Sequence, residues 1–159
     1  MNKYRTHNCS ELSEGDIDKE VTLSGWLHRK RDHGNLLFID IRDHFGITQC
    51  VIENNNKSFT VIEKARPESV MKISGKVVKR SSGTENKELK TGKIEVSIKS
   101  VEILSNAKEL PIPVFGEQDY PEDIRLKYRF LDLRRDEMHK NIILRSKVIS
   151  FIRTEMIKL

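Results

Sequence analysis

The sequence contains little cysteine, proline and tryptophan, and these shortages argue against several classes of protein. Its 159 residues include two cysteines, four prolines and one tryptophan. Cys9 and Cys50 lie far apart and form no CxxC pair, which argues against a disulfide framework and against a zinc site. The N-terminus has no apolar signal segment, and no apolar run is long enough to span a bilayer. We therefore expect a soluble protein of the cytoplasm with reduced thiols and no membrane segment.

The charged residues show a modest excess of positive charge without a catalytic constellation. Lys and Arg number 29 against 24 Asp and Glu, and the net charge is +5. This balance favours polyanionic partners without requiring them. The five histidines have no metal-ligand spacing, and the sequence has no glycine-rich phosphate loop and no nucleophile paired with a base. We expect no catalytic residue and no metal site in this chain.

Hydrophobic alternation predicts a mainly β domain followed by a separate segment. The predicted strands cover residues 20–31, 36–43, 47–53, 69–80 and 93–104, and a three-residue apolar spacing predicts a short helix over 57–66. Gly25 and Gly75 interrupt two of the strands, as bends in small barrels do. Near Gly25 the apolar parity changes, so Trp26 is expected in the core. This order favours a five-stranded Greek-key barrel of the OB-fold type, with the short helix between strands 3 and 4.

The second predicted strand carries an aromatic residue on its polar side. Leu37, Ile39 and Ile41 alternate with Phe38, Asp40 and Arg42, so Phe38 faces water if the aliphatic residues face the core. The basic run 28–31 precedes this strand. A ring for base stacking beside cations for phosphates is typical of a platform for single-stranded nucleic acid. The alternative is that Phe38 covers a neighbouring loop and the cations form a solvated edge.

We divide the chain into a barrel domain, 1–106, a hinge or linker, 107–137, and a C-terminal helix, 138–159. The linker is rich in proline and lacks periodicity, whereas the helix has one apolar face. Because the helix has no glycine or proline stop, we expect it to be the truncated start of another domain.

Three strings resemble bacterial-type aspartyl-tRNA synthetases, which are class II aminoacyl-tRNA synthetases, over essentially the whole chain. They are VTLSGWLHRKRDHGNLLFIDIRDHFGITQCVIE, TGKIEV and EDIRLKYRFLDLRRDEM. The resemblance implies an anticodon-binding OB domain, the hinge and the beginning of a class II catalytic domain. It further implies that ATP, aspartate and Mg2+ bind downstream of residue 159. The chain alone would then bind tRNA without activating an amino acid, and it would need no cofactor. The long helix would belong to the homodimer interface of the full-length ligase.

The resemblance also implies roles for individual residues. Phe38 resembles the ring that stacks on the central anticodon uracil, and Gln49 the amide that reads the edge of that uracil. Gln49 nevertheless shares strand parity with Ile47 and Val51, which conflicts with an outward position unless the strand bends. By the same resemblance, Arg31 lies at the third anticodon base, which is cytosine, and Glu95 lies at the first, which is guanine. Arg29 either contacts a phosphate or lies in solvent.

Two loop positions bear on the third anticodon base. Many aspartate-specific bacterial relatives have leucine where this sequence has His33, and lysine where it has Gly83. The residues present here resemble the non-discriminating ligases, which also attach aspartate to tRNA-Asn. The alternative is that His33 and Gly83 are neutral turn residues.

Other interpretations of the chain remain open at this stage. The barrel could be a stand-alone OB-fold protein that binds single-stranded nucleic acid, or a protein-interaction barrel. The C-terminal segment favours a ligase fragment, because a stand-alone binder needs no hinge and no truncated helix. For the segment 125–135 we favour a structural role, in which its Arg and Lys pair with Asp132, Asp136 and Glu137, over contact with a tRNA stem.

Overall fold

The structure, a computed structural model, describes residues 3–116 and 119–158 and divides into two compact units. The first unit ends at Lys108 and the second begins at Glu109. In the described part of the first unit, the elements are a 3-10 helix (Glu14–Asp16), β1 (Glu20–Asp32), β2 (Leu36–Arg42), β3 (Ile47–Glu53), α1 (Phe59–Lys64), β4 (Val70–Lys79) and β5 (Ile94–Ser105).

The five strands close into a barrel in the order β1-β2-β3-β5-β4. β1 pairs with both β2 and β4, while the short β3–β5 pairing is parallel and the other pairings are antiparallel. The mainly β, five-stranded barrel with a short helix between its third and fourth strands is therefore confirmed.

Alternate side chains of every strand fill the barrel interior, because successive residues of a strand point to opposite faces. The buried set includes Val21, Leu23, Leu27, Leu37, Ile39, Ile41, Met71, Ile73, Val77, Ile94 and Val96. Ile62 of α1 is also fully buried and closes one part of this core. Each such side chain contributes about 1.5–3 kcal/mol relative to leaving it in water. Cys9 and Cys50 are free and belong to the same core, where burial raises the pKa of both thiols.

Gly25 and Gly75 lie where a neighbouring strand crosses very close to the backbone. A Cβ at Gly25 would lie 2.3 Å from the carbonyl oxygen of Arg42, and one at Gly75 would lie 2.2 Å from that of Ser97. Both distances are far inside van der Waals contact, so any side chain would push the strands apart. The predicted bends are thus positions of close backbone approach in the barrel wall.

The expectation that Trp26 enters the core is wrong. Gly25 takes an inward position on the same parity as Leu23 and Leu27, so Trp26 points outward and is half-buried on the barrel surface. There the guanidinium of Arg42 lies 5.9 Å from its ring centroid. The change of register occurs further along β1, where Leu27 pairs with Ile41 but Arg29 already pairs with Asp40.

The second unit contains α2 (Glu122–Lys127), α3 (Arg129–Asp132) and α4 (Asp136–Lys158) within its described residues. Its small core comprises Ile112, Val114 and Leu131. The residues assigned to a linker, 107–137, thus include α2, α3 and this core, and the three-part division of the chain stays a prediction. Among residues 3–116 and 119–158, no helix is long and apolar enough to cross a membrane.

Asp132 pairs with three arginines of the second unit, Arg125, Arg129 and Arg135. Its carboxylate is fully buried and accepts from Arg125 Nε at 3.1 Å and from Arg129 Nη1 at 2.6 Å. A third guanidinium nitrogen, Nη1 of Arg135, lies 3.7 Å away. The hydrogen bond to Asp132 and the negative charge of that carboxylate raise the pKa of Arg125. These pairs agree with a structural role for the segment 125–135.

We expect Gly75→Ala to lower the free energy of unfolding by about 3 kcal/mol, the upper end of the range for overpacked sites. The new methyl group would meet the backbone of Ser97, which cannot move without opening the barrel. The control is Gly15→Ala, where the nearest atom lies 3.6 Å from the new Cβ; we expect a change within about 0.5 kcal/mol. Urea unfolding measures both variants, and equal effects would contradict the close-approach interpretation.

Candidate nucleic-acid interface

An open groove of about 330 Å³ runs across the outer face of the barrel. Its floor is formed by β2 and β3, and its far side by the end of β4, the start of β5 and the loop after β4. The lining residues combine apolar and polar side chains and are Leu36, Phe38, Gln49, Val51, Glu53, Val78, Ser81, Thr84, Glu95 and Ser97. This is the β2–β3 face on which OB folds bind oligonucleotides.

Phe38 occupies the outward position predicted from strand parity. Its neighbours Leu37 and Ile39 are buried in the core, whereas Phe38 is half-buried and lines the groove. The ring of His33, in the turn before β2, meets the Phe38 ring edge-on, with 5.3 Å between centroids and an interplanar angle of 88°. The groove therefore contains an aromatic ring with an imidazole perpendicular to it.

A β-bulge in β1 brings arginines to the groove side of the strand. Leu27 faces the core, and an uninterrupted strand would turn Arg29 and Arg31 inward as well. His28 is the extra residue, so Arg29 stands opposite Asp40 and Arg31 opposite Phe38. Bulges commonly re-aim side chains in this way. Both arginines are exposed.

The side chains of the basic run 28–31 do not all lie on one side of β1. Lys30 faces the opposite way from Arg31, and its Nζ donates to the carbonyl oxygen of Ala65 at 2.9 Å and to that of Glu63. These carbonyls lie at the C-terminal end of α1, where a cation is favoured by the helix dipole. Lys30 therefore does not belong to the groove side of the run, whereas Arg29 and Arg31 do.

Gln49 lies on the groove face of β3. Its strand parity therefore agrees with an outward position, contrary to the expectation from the sequence. Thr48, Cys50 and Ile52 form the core side of β3, while Ile47 and Val51 are half-buried on the outer side. Apolar residues on the outer face had suggested the opposite orientation. No bend of the strand is needed to place Gln49 in the groove.

Charged groups hold both ends of the Gln49 amide, and only 8% of the residue is exposed. Arg31 Nη2 donates to Gln49 Oε1 at 3.0 Å, and Gln49 Nε2 donates to Glu95 Oε2 at 2.7 Å. Glu95 belongs to β5, so these bonds join three strands across the groove. The structure thus brings Arg31, Gln49 and Glu95 together next to Phe38.

Asp40 is a site residue that the sequence-based prediction missed. It follows Phe38 on the same face of β2, yet its exposed fraction is only 8%. Arg31 Nη2 donates to its two carboxylate oxygens at 3.2 and 3.4 Å. Burial raises the pKa of Asp40, and the positive charges of Arg31, Arg29 and Arg80 oppose that rise. In the sequence, the alternation of Asp40 with Ile39 and Ile41 indicates that Asp40 lies on the outer face of β2.

Arg80 is a second residue missed from the sequence, and only 5% of it is exposed. Its Nε donates to the carbonyl of Ile94 at 3.1 Å and its Nη1 to that of Thr84 at 3.4 Å. Within the described residues, its Nη2 is buried without a hydrogen-bond partner. Burial lowers the pKa of Arg80, while Glu95 and Asp40 counteract this effect. Arg80 ties the loop after β4 to β5 and adds positive charge beside the groove.

Gly83 lies in the loop after β4, between Ser81 and Thr84, which both line the groove. Its φ of 84° falls in the left-handed region, and no atom lies within 4 Å of the position a Cβ would take. His33 and the loop of Gly83 therefore both border the groove, although Gly83 itself does not line it.

The groove combines a stacking ring, an amide, carboxylates and guanidinium groups, which are the parts needed to bind unpaired bases and their phosphates. Across residues 3–116 and 119–158, no cluster of three or more His, Cys, Asp or Glu side chains could hold a metal ion.

Two family models match consecutive parts of the chain. Residues 21–104 match the tRNA anti-codon family, described as an OB-fold nucleic acid binding domain. Residues 121–159 match the family of tRNA synthetases class II (D, K and N). The first match covers the barrel and the groove.

Curated relatives match the chain over almost all of its length. The aspartate–tRNA(Asp/Asn) ligase of Pelagibacter ubique is 64% identical over the whole chain, which covers 27% of that ligase. The ligase of the same name from Beijerinckia indica is 58% identical over 98% of the chain, which covers 26% of it. The chain thus spans about a quarter of the length of these relatives and corresponds to their N-terminal part.

Solved structures show the same fold. Asparaginyl-tRNA synthetase from Pyrococcus horikoshii, complexed with asparaginyl-adenylate, is 27% identical with a TM-score of 0.80, over 96% of this chain and 34% of that one. Aspartyl tRNA synthetase from Entamoeba histolytica, at 19% identity, has a TM-score of 0.82 over 93% of this chain and 36% of that one. Because the OB-fold model matches residues 21–104, more than half of the chain, this protein belongs to the tRNA anti-codon family of OB-fold nucleic acid binding domains.

Proposed function

We propose that the chain binds the anticodon loop of tRNA as the anticodon-binding domain of an aspartate–tRNA ligase. The observation that carries this proposal is the placement of Phe38 beside Gln49 in the groove. A stacking ring next to an amide can hold an unpaired base by its face and read its edge. The similarity to aspartate–tRNA(Asp/Asn) ligases along the chain supports the choice of tRNA as the ligand.

Each groove residue then has a proposed role. The central uracil stacks on Phe38, and its edge meets Gln49. Glu95 accepts from the N–H edge of the first base, guanine, because a carboxylate only accepts hydrogen bonds. Arg31 lies at the third base, cytosine, and Arg29 at a phosphate. We add Arg80 as positive charge that offsets the carboxylates of Glu95 and Asp40.

The complete ligase would attach aspartate to tRNA-Asp with ATP and Mg2+, bound by residues beyond this chain. His33 and Gly83 support acceptance of tRNA-Asn as well, which the names of the relatives also suggest. We propose that α4 contributes to the homodimer of the complete ligase and that the ligase works in the cytoplasm, where tRNA is charged. The boundaries 1–106, 107–137 and 138–159 are proposed for the barrel, the connecting segment and the start of the catalytic domain.

Three anticodon stem-loops at one salt concentration test the proposal. They are the aspartate loop, the asparagine loop and an aspartate loop with its central uracil replaced. We expect tight binding of the first two and loss of binding for the third. Preference for the aspartate loop over the asparagine loop would contradict the proposed role of His33 and Gly83 in accepting tRNA-Asn. Equal binding of all three would instead indicate a barrel that binds single strands without reading sequence.

Phe38→Ala should weaken binding of the aspartate loop by about 1–3 kcal/mol, the usual effect of removing a stacking ring. The matched control is Phe45→Ala, which removes the same ring from the exposed turn between β2 and β3. Fluorescence anisotropy with a labelled stem-loop measures both. Unchanged affinity for Phe38→Ala, in a protein that unfolds like the wild type, would remove Phe38 from the site.

Glu95→Gln should relax selection of the first anticodon base. The amide keeps the size of the side chain but loses the double acceptor that guanine's N–H edge requires. We expect the preference for guanine over adenine to fall by about 1 kcal/mol or more, on the scale of one bidentate contact. Competition binding with loops that differ only at the first base measures this preference. A uniform loss over all first bases would contradict the assigned role.

His33→Leu combined with Gly83→Lys should create a preference for cytosine over uracil at the third base. The site around Gly83 has space for a side chain, although lysine there must adopt a left-handed φ. The strain costs about 1–2 kcal/mol of stability, so the unfolding transition is measured alongside binding. Equal affinity of this double variant for aspartate and asparagine loops would show that these positions do not select the third base.

A further inference from the structure

Four groove side chains form one continuous series of hydrogen bonds, which we call the groove relay: Asp40, Arg31, Gln49 and Glu95. Asp40 accepts from Arg31 Nη2 at 3.2 and 3.4 Å, and the same nitrogen donates to Gln49 Oε1 at 3.0 Å. Gln49 Nε2 then donates to Glu95 Oε2 at 2.7 Å. The relay starts and ends on a carboxylate and connects β2, β1, β3 and β5.

The charges of the groove relay allow only one orientation of the Gln49 amide. A guanidinium can only donate hydrogen bonds, and an ionised carboxylate can only accept them. If the amide turned over, its NH2 would face Arg31 and its oxygen would face Glu95, so both bonds would be lost to repulsion. Because both bonds involve charged groups, they are also stronger than neutral ones.

The fixed amide retains one hydrogen-bond donor and one acceptor for a ligand. Its NH2 has two hydrogens and its oxygen two lone pairs, and the relay uses one of each. On its pairing edge uracil carries N3–H between two carbonyl oxygens, whereas cytosine carries an amino donor next to two acceptors, N3 and O2. An amide that directs its free N–H at O4 of uracil and its free lone pair at N3–H would present the wrong groups to the amino group and N3 of cytosine. Turning the amide over would let it pair with cytosine instead.

We infer that Asp40 is a positioning residue that sets the choice of uracil over cytosine at the central base. It holds Arg31 against Gln49 Oε1, and this bond acts together with the bond from Gln49 Nε2 to Glu95 to keep the amide in one orientation. This inference rests on the proposed function, in which Phe38 and Gln49 bind that base. Asp40 itself lies beneath Arg31 and needs no contact with RNA for this role.

The test compares the 159-residue wild type with Asp40→Ala and Glu102→Ala on two stem-loops that differ only in a central uracil or cytosine. Both variants remove an ion-paired carboxylate from a strand; Glu102 pairs with Lys72 at 3.5 Å on the β4–β5 strands. The two variants change net charge equally, so any general gain in RNA affinity cancels in the uracil-to-cytosine affinity ratio. We expect Asp40→Ala to lower this ratio at least about fivefold, the low end for one bidentate base contact, and Glu102→Ala to keep it.

Each outcome bears on a different claim. A wild type that binds both loops equally overturns the inference together with the proposed function. A wild type that prefers uracil, with an unchanged ratio in Asp40→Ala, overturns the positioning role and leaves the proposed function standing. Equal weakening of both loops by Asp40→Ala would likewise reduce Asp40 to a structural residue.

Arg31→Gln tests the same relay from its exposed side. The shorter side chain cannot bridge Asp40 and Gln49, so only the bond to Glu95 would still orient the amide. We expect the uracil-to-cytosine ratio to fall at least about fivefold. This variant decides the question if Asp40→Ala does not fold. An unchanged ratio in folded Arg31→Gln would overturn the inference.

Discussion

The close crossing of strands at Gly25 and Gly75 is the constraint on which the barrel depends. At both positions the backbone of one strand nearly touches the carbonyl of the next, and there the sheet curls into a closed barrel. Closure commits one face of each strand to a dry interior. A polar side chain of β2 or β3 must then lie on the outer face or find a hydrogen-bond partner in the interior, as Thr48 does with the carbonyl of Cys9. Asp40 and Gln49 both lie on the outer face, where Arg31 contacts both.

The groove balances opposite charges before any ligand arrives. Asp40 and Glu95 carry negative charge beneath the surface, and Arg31 and Arg80 carry positive charge beside them. Burial raises the pKa of Asp40 and lowers that of Arg80, and neighbouring opposite charges counteract both shifts. A site preorganised in this way spends little free energy on ordering its side chains when a base enters.

Much of the barrel could be predicted from sequence because alternation is a strong signal in half-buried strands. Phe38 shows this clearly, since Leu37 and Ile39 fix its direction. The same rule failed for Gln49, because Ile47 and Val51 are apolar residues of the outer face and imitate core positions. It failed for Trp26 because Gly25 has no side chain, so its inward position does not show in the apolar alternation. The family resemblance supplied Gln49 where the pattern had argued against it.

The partners of the site residues were harder to predict than the residues themselves. A single-residue bulge at His28 reverses the facing of Arg29 and Arg31, and no composition rule identifies that position beforehand. Asp40 contacts Arg31 on the adjacent strand β1, and Arg80 contacts the backbone of Thr84 and Ile94. Such contacts depend on the register of the closed barrel, which local patterns do not fix.

Burial of the two thiols determines how this protein reacts with thiol reagents. Cys9 and Cys50 are sealed in the core, where burial keeps them protonated, and a protonated thiol is a poor nucleophile. The folded barrel should therefore resist alkylating reagents, while any molecule whose barrel opens gains two reactive groups. Thiol labelling thus gives a direct count of opened barrels in a population, without a dye, an engineered probe or a bound ligand.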